Sequence, residues 1–527
     1  MSQSPPIISE SVSPRTHQIA KKACHSCRRA RLRCDRSYPE CTKCTSRGVE
    51  CLGYGRLFLW TGAVATRGKL AGQSSSASVC RLPKQEDLTS FDAKGVGPEG
   101  WGMIRSHDNQ VFYPTSQAPW HTTSPWPLVD PLFQDMSHSK RWYLNYFSSR
   151  VCLDLVAHDR PDNNPFRSLL LLTNEHPFLQ EVIVAVSAAH MCNLARPWLG
   201  PDSFDRKEPP RQLLMDALKA KQQALQLMPS ALENIDSIGA DVILAAILFF
   251  VNAELVESGW QSWRPHLEGA KRLLNMMQPY ASFSETLRDY VVSDFYVYCT
   301  LSLSFNPTMP GVQTAFFAPT QVNSTLSRAT NHFFCCPADV LDILREAAQL
   351  LNTEGDKQVA DDVMVSSFAA LLKRAQNVDV LTWAREGVSP YDEAEIQSRF
   401  LTGSAHRLAT CLYIIQSTPS LTERVPDKVC EALIRDIYDT LSPMPDDDPN
   451  FKATGWPTFI YGTTATTPEL RAWVMDRLKR LVAVNPWGFL YSAIDTLQIL
   501  WGLDAEGKRT TNWIQQLKDL NVDFLMV

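Results

Sequence analysis

The chain contains 527 residues, 14 of them cysteine, and carries a formal net charge of −5. This length excludes a single small module and leaves room for several parts, one of them with a substantial core. The longest apolar run covers residues 242–251, which is too short to cross a bilayer and excludes a conventional transmembrane helix.

The amino terminus is polar. Residues 1–14 carry prolines and no long apolar run, so they do not resemble a secretory signal peptide. We predict that residues 1–19 form a disordered arm and that the protein stays inside the cell. Basic residues concentrated at positions 21–33 favour the nucleus.

Two half-repeats of Cys-x2-Cys-x6-Cys follow, joined by six residues: Cys24, Cys27, Cys34, Cys41, Cys44 and Cys51. Structural zinc takes four ligands, often thiolates. Six thiolates hold two ions only if two of them bridge both metals; otherwise one ion takes four cysteines and two stay idle. The repeated spacing favours the bridged pair, with each Cys-x2-Cys pair on a tight turn and each six-residue spacer forming a short helix.

The charge around these cysteines is strongly positive. Residues 20–57 contain ten Lys or Arg and three Asp or Glu, a formal +7, which six thiolates and two zinc ions reduce to +5. The rest of the chain carries −12. A basic segment in an otherwise acidic chain is expected when that segment binds the phosphates of a nucleic acid. The sequence therefore predicts a zinc-stabilised module that binds double-stranded DNA.

The cysteine segment resembles the fungal binuclear zinc cluster, a DNA-binding domain of fungal transcription factors. All six spacings match, and Pro39 stands where the family carries a proline between the two halves. The resemblance implies a domain over residues 20–55 with two zinc ions per chain. It also implies that Cys24 and Cys41 are the bridging ligands, with the other four cysteines terminal.

The same resemblance implies how DNA is read. In the family a short helix enters the major groove at a C-G-G triplet, and the main reading residue lies four places after the second cysteine. That residue is Arg31 here, whereas the family usually has lysine, so the base preference stays open. Arginine can pair with guanine, while phosphate contacts only position the protein. The residues predicted to contact the backbone are Arg28, Arg29, Arg33 and Lys43.

Residues 56–136 are predicted to be a largely irregular linker, because a serine run at 74–76 and several prolines oppose regular structure. Within it, Gly95, Gly97 and Gly100 match the spacing of a dinucleotide-binding fingerprint. No strand precedes these glycines and Pro98 interrupts them, so we predict no nucleotide site there.

From residue 137 to 527 the pattern is helical, which predicts a large all-α regulatory domain. Residues 181–193 form a long apolar stretch rich in alanine and valine, and residues 240–255 read as a buried core helix. Residues 211–228 read as an amphipathic helix ended by Pro229. Helix starts are predicted at Ser282, through a capping box with Glu285, and at Thr467 before Pro468.

This region resembles the fungal-specific transcription factor domain of the second type, which implies an α-helical regulatory region and no catalyst. The resemblance rests on Tyr146-Phe147, Asp154-Leu155, Asn163-Asn164-Pro165-Phe166, His176-Pro177, Ser187-Ala188-Ala189-His190 and residues 263–270. No His-Glu-x-x-His, Gly-x-Ser-x-Gly or phosphate-loop motif occurs, so no enzymatic activity is predicted. His190 and His266 are interpreted as structural histidines.

Four further features receive structural interpretations. The eight cysteines after Cys51 are predicted to be mostly core residues. Residues 446–448 are predicted to form a solvated acidic loop. Residues 513–527 are predicted to close the core. Leu214, Leu218, Leu225 and Met228 form an apolar stripe that Lys221 interrupts. The stripe is too short to predict a coiled coil.

The sequence thus predicts a nuclear DNA-binding regulator of RNA polymerase II transcription that reads C-G-G-like half-sites. Expected partners are DNA, the transcription machinery and a second copy of the chain bound through the helical region, with no membrane partner. The alternative is a zinc-containing α-helical interaction or ligand-sensing protein that does not read DNA sequence.

Overall fold

A computed structural model of the chain describes residues 22–37, 40–49, 51, 54, 136–159, 164–196, 208–260, 262–276, 284–305, 325–326, 328–353, 361–417, 419–505, 512–520, 522 and 525–527. These ranges exclude the predicted arm, the glycine-rich motif and nearly all of the predicted linker. The chain divides into two compact units, with the cysteine segment in one and the helices from His138 onward in the other.

The cysteine unit has two short helices, α1 (His25–Arg29) and α2 (Thr42–Thr45). The second unit is helical, as predicted, and an isolated antiparallel bridge joins Val156 to His332. Its α-helices are α3 (His138–Tyr146), α4 (Cys152–Asp154), α5 (Pro165–Ser168), α6 (Pro177–Leu194), α7 (Arg211–Glu233), α8 (Ile235–Ile238), α9 (Ala240–Glu257), α10 (Arg264–Met276), α11 (Glu285–Phe305), α12 (Ala338–Thr353), α13 (Asp361–Gln376), α14 (Val380–Arg385), α15 (Glu393–Ser417), α16 (Pro419–Thr422), α17 (Asp427–Leu441), α18 (Gly455–Gly462), α19 (Pro468–Val484), α20 (Gly488–Ala505) and α21 (Trp513–Asp519). A π-helical turn covers Phe147–Val151, and 3₁₀ turns cover Leu169–Leu172 and Phe451–Thr454.

Helix α9 lies at the centre of the helical unit. It is apolar on every face and buried over all but its last residue, as expected of a helix surrounded by others. Its polar groups have partners, because Asp241 accepts the Ser284 N–H at 2.9 Å and Asn252 accepts the Tyr298 hydroxyl at 2.6 Å. Helices α6, α10 and α11 pack against it. The predicted buried helix at 240–255 is confirmed as part of α9, and the apolar stretch at 181–193 lies within α6.

Two predicted helix boundaries are wrong. Helix α7 does not end before Pro229 but continues to Glu233, because Met228 and Ala231 on either side of the proline are buried against the body. That packing offsets the hydrogen bond that proline cannot donate. Helix α11 is capped by Ser284, whose hydroxyl accepts the Leu287 N–H at 3.3 Å; Ser282 lies outside the described residues.

Other predictions hold. Thr467 caps α19 by accepting the Leu470 N–H at 3.4 Å. The carboxyl-terminal segment closes the core, since Trp513 and Leu517 are buried and the Leu525 N–H donates to the Gly259 carbonyl at 2.8 Å. The acidic loop is held to the body through Asp446, which pairs with Arg480 at 2.8 Å.

The cysteines of the helical unit are free thiols, all of them buried or half-buried, and Cys80 lies outside the described residues. Among the described helices, none combines the length and the apolarity that a bilayer crossing needs.

His190 is a structural histidine, as predicted. Its Nδ1 lies 2.8 Å from the Tyr146 hydroxyl oxygen, and its Nε2 lies 2.9 Å from Asp154 Oδ2. Because a carboxylate only accepts, Nε2 carries the proton. The Trp487 indole N–H donates to the same carboxylate oxygen at 2.9 Å. This hydrogen-bonded network thus joins α3 and α4 to α6 and to the segment just before α20.

The π-helical turn explains why Tyr146 and Asp154 both reach this ring. They are eight positions apart in the sequence, which in an α-helix would place them about 80° apart around the axis. A π turn holds one residue more than an α turn. The rotation around the helix axis between the two residues is therefore about 100° smaller than in a regular α-helix. The two side chains therefore lie on nearly the same face.

Two glycines of α20 provide a matched test of this packing. A Cβ added to Gly488 would lie less than 3.0 Å from the Glu257 carbonyl oxygen, a backbone atom of α9, whereas a Cβ at Gly502 meets nothing within 4 Å. We expect Gly488→Ala to destabilise the helical unit by about 2 kcal/mol or more. Gly502→Ala should stabilise it by about 0.5–1 kcal/mol. Urea denaturation of both variants checks this, and equal midpoints would contradict the close approach of α9 and α20.

Candidate metal centre and nucleic-acid interface

Each half of the cysteine unit begins with a cysteine that caps a helix. Cys24 and Cys41 have extended backbones, and their sulfurs accept the N–H groups of Cys27 at 3.4 Å and Cys44 at 3.3 Å. A capping side chain satisfies an N–H that the helix leaves unpaired. Because the cap is the first cysteine, each helix starts inside the Cys-x2-Cys pair. The predicted helices are therefore misplaced: α1 reaches only Arg28 and Arg29 of the first six-residue spacer, and α2 only Thr45 of the second.

The two halves repeat the same hydrogen bonds 17 residues apart. The Cys24 N–H donates to Cys34 Sγ at 3.4 Å, and the Cys41 N–H donates to Cys51 Sγ at the same distance. This brings the third cysteine of each half back beside the first. The geometry is an approximate internal two-fold repeat, as the sequence spacing predicts.

The six sulfurs converge into two groups of four, each with its sulfurs within 4.8 Å of one another. One group is Cys24, Cys27, Cys34 and Cys41, and the other is Cys24, Cys41, Cys44 and Cys51. Cys24 and Cys41 belong to both, with their sulfurs 3.5 Å apart. Five of the six cysteines are buried and Cys51 is half-buried.

This donor set fits zinc. A tetrahedral ion with Zn–S bonds of about 2.3 Å holds its sulfurs about 3.8 Å apart. Sulfur Sγ of Cys41 lies 3.6 Å from that of Cys27, and Cys24 Sγ lies 3.7 Å from Cys44 Sγ. Burial raises the pKa of Cys27 and Cys44 to about 12, so a bound cation is needed to keep these thiols ionised.

Asp35 ties the first half to the second. Its carboxylate accepts the Ser37 hydroxyl at 2.5 Å, the Thr42 N–H at 3.1 Å, the Lys43 N–H at 3.2 Å and the Thr42 hydroxyl. These bonds, that of the Ser37 hydroxyl first, hold the pKa of Asp35 well below its usual range. Sequence reasoning missed this residue, whose only signal is an acid among basic neighbours.

Tyr54 closes the unit from the other side. Its hydroxyl donates to the Ser37 carbonyl at 2.5 Å, and its ring packs against the buried sulfurs. The segment that joins the two halves is therefore held at its beginning by Asp35 and from outside by Tyr54.

The predicted DNA-contacting residues are exposed where the structure describes them. Arg28, Arg31, Arg33 and Lys43 all face solvent, and the side chain of Arg29 lies outside the described part. Lys43 is on α2, and the arginines lie on α1 or just beyond it. The basic surface is thus available to a large anionic partner.

Arg31 has an unusual backbone. Its φ is 54°, in the left-handed region, where the Leu32 N–H donates back to the Cys27 carbonyl at 2.8 Å. The equivalent residue of the second half is Gly48, with φ 63°. Glycine adopts this conformation freely, whereas another residue is strained by about 1–2 kcal/mol. Strain of this kind is retained mainly at functional positions.

Comparison with known protein families agrees with this geometry. The family model of the fungal Zn(2)-Cys(6) binuclear cluster domain matches residues 22–60, and that of the fungal specific transcription factor domain matches residues 142–527. The chain belongs to this fungal transcription factor family. Membership of this family implies that the chain regulates transcription, binds DNA and binds zinc.

One full-length relative of this transcription factor is the acriflavine sensitivity control protein acr-2 of Neurospora crassa. It is 30% identical over an alignment that covers 97% of this chain and 98% of the relative. No solved structure matches the chain.

The role of Asp35 in this transcription factor can be tested by replacing it with asparagine. The amide of Asp35→Asn offers only one acceptor oxygen to four donors, so we expect zinc to be lost to a chelator at least about tenfold more readily. Glu40→Gln, a neutralised exposed acid in the same unit, is the control. Chelator competition on the zinc-loaded protein measures both. Equal retention in the two variants would contradict the role of Asp35.

Proposed function

We propose that this chain is a nuclear, sequence-specific DNA-binding regulator of genes transcribed by RNA polymerase II. The observation that carries the proposal is the pair of four-sulfur groups sharing Cys24 and Cys41, in a unit whose described arginines are exposed. A buried sulfur cluster of this size makes a rigid base, and the arginines supply the charge that phosphates attract.

Two zinc ions per chain are proposed to occupy the two groups. One would be held by Cys24, Cys27, Cys34 and Cys41, and the other by Cys24, Cys41, Cys44 and Cys51, with Cys24 and Cys41 bridging. Bound zinc supplies structure and charge compensation. The short helices then keep their orientation because both capping cysteines are fixed.

Arg31 is proposed to read guanine in C-G-G-like half-sites. Its position just beyond α1 turns the chain away from the helix, and its guanidinium fork can donate to the O6 and N7 atoms of guanine. The strained backbone supports a functional reason for arginine at this position. The residues proposed to bind phosphates are Arg28, Arg29, Arg33 and Lys43.

The helical unit is proposed to connect DNA binding to the transcription machinery and to a second copy of the chain. The chain outside residues 20–57 carries a formal −12, so its charge disfavours direct contact with phosphates. Such an acidic body suits protein partners.

Site selection from a random DNA pool tests the proposal with the zinc-loaded full-length protein. Enrichment of a C-G-G-like triplet is expected. If no sequence is enriched while zinc is bound, the rival interpretation applies: an α-helical interaction or ligand-sensing protein with a zinc module that does not read sequence.

Replacing Arg31 separates reading from folding. Arg31→Gly should keep its zinc and fold, because glycine relieves the left-handed strain. It should lose about 1–3 kcal/mol of discrimination between the selected site and a scrambled duplex. Arg33→Ala is the control, since loss of a phosphate contact weakens binding to both duplexes equally and lowers the salt dependence. Fluorescence anisotropy at several salt concentrations measures both. Equal losses on the two duplexes for Arg31→Gly would contradict its reading role.

Replacing a shared cysteine tests the bridging assignment. Cys41→Ser removes a ligand from both ions, so we expect zinc to fall below one ion per chain and the module to unfold. Cys51→Ser removes a ligand from one group only and should retain more metal. Native mass spectrometry counts the ions. Two zinc ions in Cys41→Ser would refute the shared role.

A further inference from the structure

The sequence contains one pair of adjacent cysteines, Cys335 and Cys336. Both are free thiols in the helical unit, where Cys335 is buried and Cys336 is half-buried. They follow the bridge residue His332 and come just before Pro337 and α12. Two thiols on neighbouring residues can bind the same atom, which a single buried cysteine cannot do.

The backbone directs both thiols toward one cavity. In an extended chain, neighbouring side chains point to opposite sides. Cys335 instead has a φ of 44°, in the left-handed region, where a residue other than glycine is strained, and both cysteines line the same cavity. Pro337 restricts Cys336 to extended conformations. Backbone strain of this kind is retained mainly where a function uses it.

The size of the cavity restricts what can bind there. Its volume is about 40 Å³, whereas about 10–15 Å³ is enough for one water molecule. There is room for a few atoms, and an organic effector of ordinary size is excluded. Because Cys336 is only half-buried, the thiol pair can be reached from solvent. A ligand that fits is therefore small and inorganic.

Arg399 on α15 holds the walls of the cavity in place. Its guanidinium group donates to the Thr330 carbonyl at 2.9 Å and to the Ala384 carbonyl at 3.1 Å. It also lies 4.5 Å from the centre of the Trp383 ring. These contacts tie the segment before the cysteines to α14. Since the walls are already fixed, a ligand that enters the cavity has little of the protein left to order.

Both thiols are protonated at neutral pH. Burial raises the pKa of Cys335 to about 12, although the Arg399 charge opposes the rise, and burial raises the pKa of Cys336 well above its ordinary value. Oxidation and thiol exchange proceed through the thiolate. The pair is therefore protected from oxidants and resists disulfide formation.

Zinc does not suit this pair. A structural zinc ion takes four ligands, and this site offers two adjacent sulfurs. Within the described part of the chain, the groups of three or more candidate metal ligands are those of the amino-terminal cysteine unit. The ligand must therefore be one that two thiols satisfy and that carries its remaining ligand with it.

We propose that Cys335 and Cys336 form a binding site for arsenous acid, the trivalent oxyacid of arsenic. Each sulfur attacks the arsenic atom, so that an As–S bond forms and an As–O bond breaks. The departing hydroxyl takes the thiol proton and leaves as water. After two such steps arsenic is bonded to two sulfurs and one hydroxyl and is still trivalent. No oxidant or reductant is consumed, and protonated thiols supply the protons that the reaction needs.

The product matches the site in composition and size. Trivalent arsenic forms three bonds, so two sulfurs and its own hydroxyl complete its bonding without another protein ligand. The arsenic atom and one oxygen are few enough atoms for the cavity. The Cys336 thiol donates to the Pro337 carbonyl at 3.5 Å, and because S–H is a weak donor, little is lost when it turns to the arsenic. The second As–S bond forms at the high effective concentration of a neighbouring residue.

Native mass spectrometry of the zinc-loaded full-length protein in sodium arsenite tests the proposal. We expect one arsenic atom per chain with the zinc content unchanged. Cys336→Ser and Cys335→Gly should each weaken arsenic binding by about a hundredfold or more, because one sulfur cannot chelate. Glycine also suits the left-handed backbone at Cys335. Cys411→Ala replaces an isolated buried cysteine of α15 and should bind arsenic as the natural chain does. Circular dichroism verifies that the variants keep their helices.

Release by competing thiols distinguishes chelation from attachment to one sulfur. Dithiothreitol should remove the arsenic at thiol concentrations at which glutathione does not, because only the dithiol chelates in return. No arsenic on the natural chain, undiminished binding in Cys336→Ser, binding that requires loss of zinc, or equal release by the two thiols would each overturn the proposal. These results do not depend on DNA reading, which site selection measures separately.

Discussion

The crowding of six sulfurs into one small volume is the constraint on which the amino-terminal unit depends. Its buried core consists of five cysteines, and among the residues that the structure describes there, Ala23, Leu32, Cys51 and Tyr54 pack against them. A segment this short cannot bury enough apolar surface to fold alone, and bound metal takes the place of a hydrophobic core. Every outer feature, including the Asp35 cap and the arginine-bearing turn, has a fixed position only while the sulfurs are held together.

The internal repeat separates the scaffold from the proposed reading surface. Both halves use the same capping sulfur, the same helical turn and the same return of the third cysteine. They differ at the left-handed residue, which is Arg31 in the first half and Gly48 in the second. The second half has the residue that the backbone prefers, and the first has one whose side chain a nucleic acid can use. Under the proposed function the first half is specialised, while the second keeps the residue that the backbone prefers.

Local signals identified most of the organisation. The 17-residue repeat of cysteines predicted the metal centre, and the all-round apolar pattern of residues 240–255 predicted the central helix. Features that depend on distant partners were missed or misplaced. Helix α7 continues through Pro229 because of tertiary packing, and Lys221 is neutralised by carboxylates more than thirty residues away. The Trp487 contact to Asp154 spans 333 positions. No local pattern contains such information.

The π-helical turn at Phe147–Val151 has a consequence for how this region tolerates genetic change. The network of Tyr146, His190 and Asp154 depends on the rotation between its ends, because one residue corresponds to about 100° around the helix. A substitution within the turn leaves that rotation intact. An in-frame deletion of one codon also preserves it, because it converts the π turn into a regular α turn and leaves the two side chains about 20° apart. A one-codon insertion would instead turn the carboxylate away from the imidazole and from Trp487, so this region is compatible with the loss of one residue but not with the gain of one.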